Sequence, residues 1–355
     1  MAVNYFEPTP ARIKECATAL FRGEIVAFPT ETVYGLGSSI AQERGVLKIF
    51  ESKSRPTFDP LIVHVALKNA SFRELTDWDL IDHPAMSDAE VIIADQLIKA
   101  FWPGPLTIIF PKLDSVSDLI TSGLPTVGIR MPNHPVALQL IRSLGEAICA
   151  PSANRFGRIS PTTATHVVEE LGDKIFGVLD GGPCTVGVES TVVRISAQGI
   201  IHILRPGGIS PEKLSQACPQ AKVETTYEHT SAIAHPKTGL LSPGTIRSHY
   251  QPRTKVVSIP QLLESHPQSL QKVGVLFLKK VNVDRILQIE SHVGGKILAQ
   301  YLSFNGDAEE AARSLFASLR ELDQKSLDRI AVEIPVEEDG LWWAIRDRLT
   351  RAIGQ

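Results

Sequence analysis

No apolar run in this chain comes near the ~18 residues that a membrane-spanning helix needs. The N-terminal stretch has no apolar signal core, so a cytoplasmic protein is expected. Four cysteines, Cys16, Cys149, Cys184 and Cys218, stand far apart with no CxxC pair. That spacing argues against a zinc site or a disulfide framework and fits a reducing compartment. Neither the GxxxxGK[ST] phosphate loop nor the GxGxxG dinucleotide fingerprint occurs. The net charge of -3 gives no global basic field of the kind that marks a nucleic-acid binder.

What is present fits a soluble globular chain. Hydrophobic content is 43% and charged content 21% over 355 residues, long enough that two domains are expected. Twenty-five glycines and 24 prolines imply many tight loops rather than a helical bundle. The densest chemistry lies between Ala147 and Ser160. A short apolar run, Ala147 to Ala150, reads as a buried strand that stops at Pro151. Ser152 and Asn154 follow at i and i+2, with Arg155, Gly157 and Arg158 close behind. Strand ends that deliver small polar groups into such a loop are where open α/β sheets place ligands. A Ser/Asn turn that satisfies only its own backbone is the plainer alternative.

Other stretches repeat the theme. Thr30-Glu31-Thr32-Val33-Tyr34-Gly35-Leu36-Gly37 puts hydroxyls, a carboxylate and glycines in one loop after the strand around Val26 to Phe28. Lys53 and Arg55 sit at i and i+2 and suit an anion, with Arg as a fork and Lys as a point charge; solvated surface charges are the commoner fate. His64 lies in the apolar strand Leu61 to Val65. Arg130 interrupts the apolar strand Thr126 to Met131, so it needs a partner or a bound anion. Ser190 and Thr191 open another strand, and Arg205 sits beside the Pro206-Gly207 turn. Lys53, Arg55, Arg130, Arg158 and Arg205 together could line a basic cleft suited to a polyphosphate. Helices are expected over residues 9–22, with Ile13, Ala17, Leu20 and Phe21 inside, and over 46–53, 135–144, 308–322 and 342–353. Residues 215–240 hold no long apolar segment and read as a linker. Its end carries Arg247, His249 and Tyr250, chemically rich enough for a flap. The strands and helices that follow make a small α/β domain with no catalytic constellation of its own.

These motifs, in this order and spacing, resemble the long-form threonylcarbamoyl-AMP synthases. The resemblance rests on Pro29 to Gly37, Lys53-x-Arg55-Pro56, Pro60 to Val65, Phe101 to Thr107, Val127 to Pro135, Ala150 to Asn154, Asp180 to Thr191, Leu204 to Gly207, and Ser242-Pro-Gly with His249-Tyr250. It covers nearly the whole chain. It implies an α/β fold: a YrdC-like twisted open mixed sheet with a positive concave cleft over 1–214, a linker and active-site flap over 215–252, and a smaller Rossmann-like α/β domain over 253–355. The implied reaction condenses L-threonine, bicarbonate or CO2 and ATP, with Mg2+, to L-threonylcarbamoyl-AMP and pyrophosphate. A transferase then carries the threonylcarbamoyl group to tRNA.

Carried over by position, Thr32, His64, Arg130, Ala150 and Ser190 would contact threonine. Lys53, Arg55, Asp59, Thr126, Ser152, Asn154, Ser160, Arg205, His249 and Tyr250 would handle ATP. Lys53, Arg55, Ser152 and Asn154 would serve catalysis. Three positions depart from the family pattern: Ser54 where Gly is usual, Asp59 where Asn is usual, and Thr245-Ile246-Arg247 where Met-Lys-Tyr is usual. An Asp beside a triphosphate adds repulsion unless a cation compensates it. Two rivals stay open. One is an RNA-binding module, because the family's concave face resembles an RNA platform. The other is a carbamoyl-transfer or hydrolase activity, although no Cys-rich signature accompanies it.

Overall fold

Side-chain caps start most of the helices. Thr9 accepts the Arg12 amide ahead of the helix Pro10–Phe21, with Pro at the first helical position. His134 caps Pro135–Leu144 in the same way, and Gly145, at φ +80, ends it. Ser87 and Glu90 form a reciprocal capping box on Asp88–Phe101. The computed structural model describes residues 4–225, 249–264, 270, 272–337 and 339–354.

The chain forms two compact units. The first holds eleven strands among the described residues. They are β1 (Asn4–Phe6), β2 (Val26–Phe28), β3 (Gly35–Ser39), β4 (Ile62–His64), β5 (Leu106–Pro111), β6 (Thr126–Arg130), β7 (Ile148–Ala150), β8 (Gly177–Leu179), β9 (Thr191–Ile195), β10 (Ile201–Arg205) and β11 (Val223–Thr225). They join in the order β1-β8-β2-β3-β7-β4-β6-β5-β9-β10-β11, with parallel and antiparallel pairs mixed. The helices Pro10–Phe21 and Pro135–Leu144 pack on it through Ile13, Ala17, Leu20, Ala137, Leu140 and Ile141. Phe21, expected inside, is 63% exposed, because the buried stripe runs through Ile13, Cys16, Ala17 and Leu20 instead. Gly35 and Gly37 belong to a strand rather than to the expected loop. A Cβ on Gly37 would come within 2.7 Å of Phe28 and Ile148, so these side chains occupy the space that glycine leaves.

The stretch expected to be a linker is structured at its start. The helix Pro211–Ala217 runs into it, and Val223–Thr225 pairs with β10 at the sheet edge. The rest of that stretch, with Ser242-Pro243-Gly244 and Thr245-Ile246-Arg247, lies outside the described residues.

The second unit takes in Ile246–Gln355 together with Gly157–Ser160 and Val186–Val188. Its sheet is four parallel strands, β12 (Val256–Ser258), β13 (Val273–Lys279), β14 (Ile297–Ser303) and β15 (Arg329–Val332), ordered β12-β15-β13-β14. Phe316, Leu315, Leu319 and Ala312 are buried on the helix Ala308–Asp323, as their spacing predicts. A helix over Val283–Val293, capped by Asn282 and ended by Gly294, was not evident from the apolar pattern. Six of its residues, Asp284, Arg285, Gln288, Glu290, Ser291 and His292, are polar or ionic, Leu287 is exposed, and only Ile289 and Val293 are buried.

Candidate active site

Strand register places most of the expected threonine contacts on one face. Directly paired residues share a face, and faces alternate along a strand. His64 pairs with Arg130 and Ile62 with Ala150, so His64, Arg130 and Ala150 lie together. Ile109 pairs with Gly128, which carries Thr107 to the same side. Thr107 pairs with Val192, which in turn pairs with Arg205. The contacts agree: Thr107 Oγ1 and Ser190 Oγ are 2.8 Å apart, and Arg205 Nη2 donates to the Ser190 carbonyl at 2.8 Å and to its hydroxyl at 3.1 Å. Thr126 falls on that face at the other end of β6. Gly207 completes the cluster by having no side chain, because a Cβ there would sit 2.3 Å from the Ser190–Thr191 backbone.

Arg130 is 4% exposed and engaged at all three nitrogens. Nε donates to the Gly104 carbonyl at 3.3 Å and Nη1 to Thr32 Oγ1 at 2.9 Å, while Nη2 is in ion-pair contact with Glu31 at 2.6 Å. Glu31 Oε2 accepts the Asn133 amide at 3.0 Å. Thr30 holds the loop's shape: its hydroxyl donates to the Val33 carbonyl at 2.6 Å and accepts the Thr32 and Val33 amides, both at 3.2 Å. Thr32 Oγ1 lies 2.9 Å from the Thr30 hydroxyl and accepts from Arg130. His64 is buried, with Nδ1 3.1 Å from the Ile62 carbonyl and its ring edge-on to Phe28. Burial, then the Arg130 charge, pushes its pKa down to about 3, so it is neutral at neutral pH.

A second group gathers around the Ala147–Ser160 stretch. Lys53, the last residue of the helix Glu43–Lys53, is buried. Its Nζ donates to the Ser152 carbonyl at 2.5 Å and to the Asn154 carbonyl. Among the described residues no carboxylate pairs with it. Burial, then the nearby Arg55 charge, holds its pKa well below that of an ordinary lysine. Arg55 Nη2 pairs with the fully buried Asp59 at 2.9 Å and donates to the Pro60 carbonyl at 3.0 Å. The expected repulsion from Asp59 is thus already compensated. Ser54 adopts the left-handed conformation, φ +51, which explains why glycine is usual there; a side chain costs about 1 kcal/mol. Backbone bonds tie this group to the Thr30–Gly37 loop: the Leu36 amide to the Pro151 carbonyl at 2.9 Å, and the Ala153 amide to the Tyr34 carbonyl at 2.8 Å. Tyr34 Oη in turn donates to the Gly182 carbonyl at 2.8 Å and accepts the Gly181 amide at 3.2 Å.

The five cations expected to line a basic cleft stand differently. Lys53, Arg55, Arg130 and Arg205 are buried and hold protein acceptors, because an unsolvated charge needs immediate partners. Arg158 belongs to the second unit and pairs with Asp323 at 3.2 Å. Ser160, His249 and Tyr250 also fall in the second unit. There Tyr250 stacks on Phe316 at 5.3 Å, with Arg348 5.4 Å from its ring, and His249 meets it edge-on. An open hollow of about 730 Å³ elsewhere in the first unit is lined by Glu74, Asp77, Asp79 and Glu146 against Lys68, the wrong sign for a triphosphate. The sequence marks Glu31 as a carboxylate in the loop and Arg130 as a charge needing a partner, but no local signal joins the two or singles out Thr107.

The comparisons with known proteins follow the same lines. Residues 18–207 match the Sua5, YciO and YrdC family profile, described as telomere recombination, and residues 209–354 match the C-terminal domain of threonylcarbamoyl-AMP synthase. The threonylcarbamoyl-AMP synthase of Pyrococcus abyssi is 36% identical over 354 residues, covering 97% of this chain and 94% of that protein. The Bacillus subtilis synthase is 37% identical, covering 97% and 93%. A crystal structure of P. abyssi Sua5 complexed with L-threonine superposes with a TM-score of 0.81 at 35% identity, covering 100% of this chain and 98% of that one. Matched by both profiles and by relatives along almost its full length, the chain belongs to the threonylcarbamoyl-AMP synthase family.

Proposed function

We propose that this chain condenses L-threonine, CO2 or bicarbonate, and ATP into L-threonylcarbamoyl-AMP and pyrophosphate. The observation that carries the residue assignment is Arg130, a buried guanidinium on the sheet face that it shares with His64, Ala150, Thr107 and Ser190. A guanidinium has five N–H groups. The contacts to Gly104 and Thr32 use one each, so the terminal nitrogens keep donors for a substrate carboxylate. Neutral His64 adds no second cation to compete for it. Ser190, fixed by Thr107 and Arg205, offers a hydroxyl to the threonine side chain.

In the reaction, the threonine ammonium first gives up a proton, and the neutral amine then attacks CO2 and loses a second proton, giving a carbamate. A carbamate oxygen then bonds to the α-phosphorus of ATP as the bond to pyrophosphate breaks. The protein's part is positioning and charge neutralisation. Lys53 fits that part, since two carbonyls aim its ammonium while leaving a third N–H for phosphate. Arg55 is held by Asp59, and Ser152 and Asn154 follow the β7 strand end next to it. Among the described residues no three metal-ligating side chains stand together, and Asp59 is committed to Arg55. Among the described residues, then, Mg2+ finds no cage of three such side chains, which fits an ion carried by the triphosphate.

The product, a mixed anhydride prone to hydrolysis, suits transfer to a tRNA-modifying transferase. No described helix is long and apolar enough to cross a membrane, and the four cysteines are free and buried. The test is pyrophosphate release with and without L-threonine and bicarbonate, paired with mass detection of the adenylate. Release that requires both, with the adenylate found, is the expected result. ATP cleavage indifferent to threonine would sink the assignment.

A further inference from the structure

The Glu31–Arg130 pair has a property that its ion-pair distance conceals. Both side chains are about nineteen-twentieths buried, and Nη2 and Oε1 face each other at 2.6 Å. Yet those same two atoms make no aligned hydrogen bond to any protein group. Their charges are matched, but their hydrogen-bonding capacity is not. The other contacts hold them in place. Asn133 fixes the second Glu31 oxygen at 3.0 Å, while Gly104 and Thr32 fix the rest of the guanidinium. The result is a donor and an acceptor of opposite charge, side by side and rigidly backed.

We infer that Glu31 is a specificity-determining residue that makes this site select a zwitterion. The inference rests on the proposed function, in which Arg130 receives the threonine carboxylate. An α-amino acid can enter between the two side chains. Its carboxylate takes Arg130 and its ammonium takes Glu31, so each buried charge exchanges one opposite partner for another and none is stranded. A carboxylate without the amine takes Arg130 and leaves Glu31 buried with no cation, which is strongly unfavourable. An inorganic anion or a nucleotide phosphate meets the same penalty. Without Glu31, Arg130 would be a general anion site in the same protein that must bind ATP. The carboxylate keeps the two substrates in their own places.

The test uses the full chain with two ligands of equal shape, L-threonine and the matching 2,3-dihydroxybutyrate, in which a hydroxyl replaces the amine. Binding is read by calorimetry for the unaltered chain, Glu31→Gln and Glu31→Asp. Glu31→Gln keeps the size and can still accept the Asn133 amide. It should weaken threonine about ten- to hundredfold and tighten the hydroxy acid, so the two affinities move in opposite directions. The KM for ATP should stay unchanged. Glu31→Asp keeps the charge and should keep the preference for threonine. A merely structural role would weaken both ligands in parallel, and that outcome, or an unchanged ratio, overturns the inference alone. Failure of the unaltered chain to bind L-threonine would overturn the proposed function along with it.

Discussion

Lys53 and Arg130 are both buried cations of the first unit, and they are held in opposite ways. Arg130 has a carboxylate against it, so the group is neutral as a whole. Lys53 has no carboxylate in ion-pair contact among the described residues; the carbonyls of Ser152 and Asn154 solvate its charge, with Asp59 and Glu170 acting from farther away. Partial dipoles orient an ammonium at less cost than burying it bare, and they leave its field available. A cancelled charge suits a ligand whose own charges sum to zero, such as an amino acid. An uncancelled one suits a polyanion. On the proposed function, this difference would separate a threonine site from a nucleotide site without help from overall charge.

The largest effect should come from removing the uncancelled charge. Lys53→Met conserves volume and should lower kcat/KM for pyrophosphate release about a thousandfold while leaving the melting temperature unchanged or higher. A fall in stability with retained turnover would place Lys53 among structural residues and dissolve the contrast. Arg55 sharpens it from the other side. It lies beside Lys53 but is cancelled by Asp59, which is fully buried. Asp59→Asn should therefore cost about 3 kcal/mol in urea unfolding, because it strands a buried guanidinium. Arg55→Ala should be costly too.

The smallest effect lies in the acid limb of stability. His64 titrates near 3 when folded and near its ordinary 6.5 when unfolded. Between those values the unfolded chain binds a proton that the folded one does not, so stability falls as pH drops, by about 1.4 kcal/mol per unit. Above 6.5 the contribution is flat. His64→Gln should remove that slope, as unfolding at pH 7 and pH 5 would show. An unchanged slope would mean that the imidazole is not held neutral beside Arg130.

Local patterns were legible before the fold was known. The helix expected over residues 135–144 is found at Pro135–Leu144, and the strand expected over Leu61 to Val65 is found at Ile62–His64. These signals are written in neighbouring residues. The site residues were legible as types, since an arginine inside an apolar strand must find an anion. Its partner was not legible, because Glu31 lies 99 positions before Arg130 and only sheet register brings them together. Burial of Lys53 and Arg55 was hidden for a similar reason. A Lys-Ser-Arg-Pro run looks like solvated surface until β7 and its following loop are folded against it.

The membership of Gly157–Ser160 in the second unit has a consequence for how the chain is made. Arg320 donates to the carbonyls of Ile159 and Ser160, and 160 residues of chain separate Ser160 from Arg320. At about 5–20 residues per second, a ribosome needs roughly 8–30 s to supply that partner. Throughout that interval the emerging first unit carries a loop whose anchoring groups have not been synthesised. Assembly of this protein therefore runs against the direction of translation at one point: the last hundred residues finish a segment laid down near the middle.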